Sequence, residues 1–151
     1  MESVNEMDRI AKVKENHEKG YNCAQAVACA YCDLYGVSEA EAFRAMEAFG
    51  GGMGVMTTCG AVSAMAYLAG LKNSSGDPAS KESTRGMTYK LMRRMVTDFV
   101  FKNKSIICKE LKGVDTGKPL RSCEGCMEDA ARAVEKVLID AEGKYKIVDE
   151  K

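Results

Sequence analysis

Seven cysteines stand in 151 residues, and four of them occupy places where a helix begins. They read as Asn22-Cys23, Thr58-Cys59, Ser105-Ile106-Ile107-Cys108 and Ser122-Cys123. A helix N-terminus carries unpaired N–H groups and the positive end of the macrodipole. That field favours thiolate over thiol. Repeated four times, the placement points to sulfur anions: metal or cluster ligands, or redox thiols. Of the other three, Cys29 and Cys32 lie three apart within a helical stretch and read as small packed hydrophobes. Cys126 closes a Cys123-Glu124-Gly125-Cys126 motif at a helix start, a redox-type arrangement without the strand and βαβ setting of thioredoxin.

A glycine-dense segment leads into Cys59: five of the eleven residues at 50–60 are Gly50, Gly51, Gly52, Gly54 and Gly60. Glycine permits positive φ and close approach. Successive N–H groups there could form a nest for a thiolate, a cluster sulfide or a phosphate. A tight helix–helix turn is the competing reading. No Gly-Lys-Ser/Thr follows, and no strand or acidic partner is evident, so neither a P-loop nor a dinucleotide fingerprint is present. No nucleophile–base pair emerges either. His17 is the only histidine and reads as a surface residue of a charged helix. Met46, Met53, Met56, Met65, Met87, Met92 and Met95 read as adaptable core packing.

The elements that must position these groups are helical. Only two prolines occur, at 78 and 119, and β-branched runs are rare. A charged helix is expected over about residues 4–18, with Val4, Met7, Ile10, Ala11 and Lys14 on one face. A second runs over about 23–35 and a third over about 38–49, opened by the capping-box pattern Ser38-Glu39-Ala40-Glu41. The glycine loop precedes a fourth helix that opens at Thr57 or Thr58 and ends near 71. A long helix follows over about 79–104, with Met87, Leu91, Met95 and Phe99 as its apolar stripe. A short helix surrounds Cys108, and the last covers about 123–141. The expected fold is all-α: one domain over 1–151, a bundle of five or six helices with its core at about 4–141 and a mobile C-terminal tail at about 143–151.

Lys plus Arg and Asp plus Glu number 22 each, so no net charge recruits nucleic acid or an anionic membrane. The polar N-terminus does not read as a signal peptide, and no apolar run is long enough to span a bilayer. A reducing cytoplasm is the expected location, where seven cysteines are not a disulfide framework.

Phe49-Gly50-Gly51-Gly52-Met53 followed by Cys59-Gly60-Ala61, with Cys23 upstream, resembles the C_GCAxxG_C_C family, described as redox-active. Cys108-Lys109-Glu110-Leu111-Lys112-Gly113 and Asp129-Ala130-Ala131 extend the resemblance, which covers about residues 20–138. It implies that Cys23, Cys59, Cys108 and Cys123 are the functional cysteines, with Cys126 as the alternative to Cys123. The motif's closing glycine is Ala64 here. Related domains fused to haem proteins point to an iron–sulfur site.

Three functions remain open. Four thiolates could hold an iron–sulfur cluster for electron transfer, with the glycine segment donating N–H bonds to sulfur. Cys59 and Cys123 could act in thiol–disulfide exchange as an oxidoreductase. A structural zinc or an inert partner-binding module is the third. The partner for the first two would be a redox protein or a small-molecule thiol. Helical bundles of this size often pair, so a homodimer is an expectation resting on fold class alone.

Overall fold

The computed structural model describes residues 8–139. Val4, Met7 and the expected tail at 143–151 lie outside the described residues. The fold is an all-α bundle of seven helices, with no strand among the described residues. They are α1 (Arg9–Glu18), α2 (Cys23–Tyr31), α3 (Glu39–Met46), α4 (Gly60–Asn73), α5 (Arg85–Asn103), α6 (Cys108–Lys112) and α7 (Cys123–Val134). No helix among the described residues is long and apolar enough to cross a membrane.

Helix α2 is the hub. It packs on α1, α3, α4 and α7, and every residue from Ala24 to Tyr31 is buried. A helix apolar on all sides has no solvated face to offer and must be central. Its alanines, with Ala61, Ala64 and Ala69 of α4, let neighbouring backbones approach closely. Around this small-residue centre, Tyr31, Met65, Leu68, Met95, Phe99, Met127 and Leu138 supply the bulk.

The expected face of α1 differs from the observed one. Arg9, Val13 and Asn16 are buried, whereas Ala11 and Lys14 are exposed. Two polar residues go inward because α2 presents backbone carbonyls to α1. Arg9 Nη1 donates to Ala30 O (2.8 Å) and to Asp33 Oδ1 (2.7 Å), and Asn16 Nδ2 donates to Ala26 O (3.1 Å). Periodicity of apolar residues cannot register a face chosen by hydrogen bonding.

The long fifth helix starts at Arg85 rather than near 79. Side chains between them hold the backbone in local turns: Ala79 N donates to Asp77 Oδ1, Glu82 N to Ser80 Oγ and Arg85 N to Ser83 Oγ. Such bonds compete directly with helical ones. The methionines also divide. Met46, Met65 and Met95 are in the core, but Met53 (48 % exposed) and Met56 (39 %) face solvent, because both sit at positive φ in the glycine segment.

Replacing Arg9 by Met retains the apolar stem and removes the guanidinium from the α1–α2 contact. The expected loss is about 1–3 kcal/mol, read as a lowered urea midpoint by circular dichroism; an unchanged midpoint would show that the contact contributes nothing.

Candidate functional site

Each helix-start cysteine is fixed by a local device. Asn22 caps α2 through a complete capping box: Gln25 N donates to Asn22 Oδ1 (2.8 Å), and Asn22 N donates to Gln25 Oε1 (3.0 Å). This puts Cys23 at the first helical position. Ser122 caps α7, accepting from Gly125 N (2.9 Å), and sets Cys123 likewise. Cys59 is itself the N-cap of α4, which begins at Gly60, two or three residues later than expected.

Thr57 and Thr58 are not helical, because they pair with the segment before α6. Thr58 and Ile107 form an isolated antiparallel bridge. Cys59 N donates to Ile106 O (2.7 Å), and Cys108 N donates to Thr57 O (2.5 Å). The clasp leaves Cys59 and Cys108 one residue beyond its two arms. Ser105 Oγ accepts from Ile107 N (2.9 Å) and fixes the turn that enters α6.

The glycine segment closes around this clasp. Gly51, Gly52, Met53 and Gly54 all have φ between 60° and 75°, so the chain coils left-handed. The turn ends where Thr57 N and Thr57 Oγ1 both donate to Gly52 O (2.9 Å each). A Cβ on Gly52 would lie 2.8 Å from Cys108 Cβ and 2.6 Å from Thr57 N. A Cβ on Gly60 would lie 2.5 Å from Cys23 Sγ and 2.8 Å from Phe49 O. Both glycines therefore make room for a cysteine. Gly50 abuts the Asn22 side chain, whereas Gly54 is exposed with open space around it.

One cavity of about 50 Å³ lies where the helix starts meet. Cys23, Cys59, Cys108, Cys123 and Cys126 line it, with the backbone of Gly51 and Gly60. Leu111 is its apolar wall, and Lys112 and Arg121 are its cations. Cys59, Cys108 and Cys126 are buried, Cys23 is half-buried and Cys123 is exposed. No carboxylate or imidazole of the described residues lines it. Among the described residues as placed, no three His, Cys, Asp or Glu side chains form a group that could hold a metal ion. Cys29 and Cys32 lie elsewhere, packed with Ala42 beneath Tyr21, Phe43 and Tyr67. Burial raises both thiols, Cys29 to about 12.

The five cavity thiols are not equivalent. Cys126 shares a hydrogen bond with Cys59, which lowers Cys59 to about 7 against the cost of burial. The N–H groups of Ala61 and Val62 and the charge of Lys112 act in the same direction. The same bond and burial raise Cys126 above an ordinary thiol. Burial raises Cys23, opposed by the Gly51 N–H, and raises Cys108, opposed by Lys112. The Cys-x-x-Cys spacing puts Cys126 one turn from Cys123 on the same face, but it does not encode the partnership with Cys59.

Sequence reasoning also passed over Arg121. Its Nε donates to Asp129 Oδ2 (3.0 Å) and its Nη2 to Asp129 Oδ1 (3.3 Å). Asp129 is buried and accepts from Asn103 Nδ2 (3.0 Å) as well. A Cβ on Gly125 would collide with this guanidinium. The only signal lay in Asp129, eight residues along the chain from Arg121.

Comparison with the curated proteins and with the solved structures returned no match. A family model described as "Putative redox-active protein (C_GCAxxG_C_C)" matches residues 21–137, which span every cysteine of the cavity. Ala64, where the motif closes on glycine, is fully buried within α4, a place that demands small size and not positive φ. The chain belongs to the C_GCAxxG_C_C family of redox-active cysteine proteins.

Proposed function

We propose that the cysteine cavity is the redox centre and that it holds an iron–sulfur cluster for electron transfer. The observation that carries this reading is the lining itself: five thiols, backbone N–H groups and two cations, with no carboxylate or imidazole among the described residues. That donor set fits a thiolate-ligated cluster, whose usual requirement is Cys₄. Cys23, Cys59, Cys108 and Cys123 would hold it, each at the start of a helix. When bound, such a group supplies one-electron chemistry at a potential set by net charge, hydrogen bonds and solvent exposure. The chain's part is to stabilise anionic sulfur. Gly51 aims its N–H at Cys23, the start of α4 serves Cys59, and Lys112 serves Cys59 and Cys108. The outer electron donor or acceptor is a redox protein or a small thiol.

A second reading has its own observation, the hydrogen bond between Cys59 and Cys126. It changes the expected dithiol pair from Cys59 with Cys123 to Cys59 with Cys126. In this reading the Cys59 thiolate attacks one sulfur of a substrate disulfide. A mixed disulfide forms and one substrate thiolate leaves, taking a proton. Cys126, deprotonated, then attacks the Cys59 sulfur, which gives the Cys59–Cys126 disulfide and releases the second substrate thiol. The substrate gains two electrons from the protein; of its two protons, one comes from Cys126 and one from solvent.

Anaerobic purification decides between the two. The cluster reading predicts a brown protein with iron and acid-labile sulfide, and loss of both in Cys59→Ser and Cys108→Ser. Cys126→Ser should retain them. Colourless protein free of iron, or stoichiometric zinc in its place, would contradict it.

The metal-free, reduced protein should show alkylation of Cys59 rising with pH through an inflection near 7, below the ordinary thiol value of about 8.5. Loss of the Cys126 donor destabilises the thiolate, so Cys126→Ser should move the inflection upward. An inflection at or above about 8.5 in the unaltered protein would sink the dithiol reading.

A further inference from the structure

Among the described residues, the ionisable side chains lining the cavity besides the thiols are Lys112 and Arg121. They come from opposite directions. Lys112 ends α6, four residues after Cys108, and therefore lies over the same helix face. Its charge acts on both Cys59 and Cys108. Arg121 precedes α7 and is seated from behind by Asp129, which Asn103 and Lys102 (3.6 Å) also hold. The guanidinium has N–H groups beyond the two spent on Asp129. Gly125 is the third part of the seat, since a side chain there would push Arg121 away. Both cations are solvent-accessible, as is Cys123 between the cavity and the surface. Glu124, the neighbour of Cys123, lines an adjoining cleft and not this cavity.

We infer that Lys112 and Arg121 form a cationic mouth that makes the cavity selective for small carboxylate-bearing thiols and disulfides over neutral ones. Such molecules are anions at neutral pH, and a cleft lined by one sign of charge concentrates the opposite sign. The inference rests on the cavity being the redox centre, and it holds whether the thiols carry a cluster or exchange disulfides. Arg121 and Lys112 are positioning residues here, acting on whatever approaches the sulfurs.

The test uses two alkylating probes of similar size, anionic iodoacetate and neutral iodoacetamide, on the full-length, reduced, metal-free protein. Rates are read at Cys123 by peptide mapping. Both probes attack the same thiolate, so the ionised fraction cancels in their rate ratio. The ratio of iodoacetate to iodoacetamide should fall about fivefold in the Lys112→Gln/Arg121→Gln double variant and about twofold in each single one. The difference should shrink in about 0.5 M salt, where screening is strong. Lys112→Arg keeps the charge and should keep the ratio. Gly125→Ala favours the helix by intrinsic propensity yet displaces Arg121, and should lower the ratio without loss of fold. As a control, Lys72→Gln lies near the far end of α4 from Cys59, and should leave the ratio unchanged. An unchanged ratio in the double variant, or in the single variants should the double not fold, would overturn the inference. So would an equal fall in Lys72→Gln. Iron content plays no part in this readout, so a failure here is distinct from a failure of the cluster reading.

Discussion

Two backbone hydrogen bonds organise the site: Cys59 N to Ile106 O and Cys108 N to Thr57 O. They join segments nearly fifty positions apart and bring two helix starts side by side. Neither bond belongs to a helix or a sheet. The pairing exists because the chain must turn sharply before it, and the left-handed run through Gly51, Gly52, Met53 and Gly54 makes that turn. The exposure of Met53 and Met56 follows from the same geometry. Non-glycine residues at positive φ are uncommon, and here two of them flank a loop that holds a cysteine cavity together. Strain tolerated beside a candidate centre fits the general location of such strain in proteins.

The remaining helices complete what the clasp begins. Helix α2, central and alanine-rich, carries Cys23 to within contact of Gly60. Helix α7 contributes Cys123 and Cys126, and its Asp129 seats Arg121 from the protein interior. The N–H groups of Ala61 and Val62 at the start of α4 act on Cys59, and those of Gly51 and Ala24 act on Cys23. An arrangement of this kind is costly unless anionic groups occupy it, and thiolates are the anions the chain supplies. Cys59 and Cys126 are pushed in opposite directions: the hydrogen bond between them lowers Cys59 and raises Cys126.

Much of this was legible in the residues. Capping signals before Cys23 and Cys123 are local chemistry, so the starts of α2 and α7 could be read directly. Helical periodicity with two prolines gave the fold class, and the short helix expected around Cys108 is α6, five residues long. Three things were not legible, each for a physical reason. The Thr58–Ile107 bridge is a long-range pairing of two short segments with no periodic pattern. The inward face of α1 is set by Arg9 and Asn16 reaching carbonyls of α2, which apolar spacing cannot encode. The turns at 79–84 come from Asp77, Ser80 and Ser83 bonding to nearby backbone, in a stretch whose helical pattern is otherwise acceptable. Gly54 shows the reverse limit: it sits in the glycine run, but faces solvent and serves the turn and not the cavity.

The proposed cluster would make the cavity thiols one redox centre carrying iron and sulfide. X-ray absorption at the iron edge of anaerobically prepared protein addresses it most directly, since it reads ligand type and metal–metal scattering at once. A cluster held by these thiols gives a first shell of sulfur alone, with iron–iron scattering beyond it, and loss of the signal when Cys59 is replaced by Ser. A first shell dominated by nitrogen or oxygen, or sulfur ligation that persists without Cys59, would contradict it.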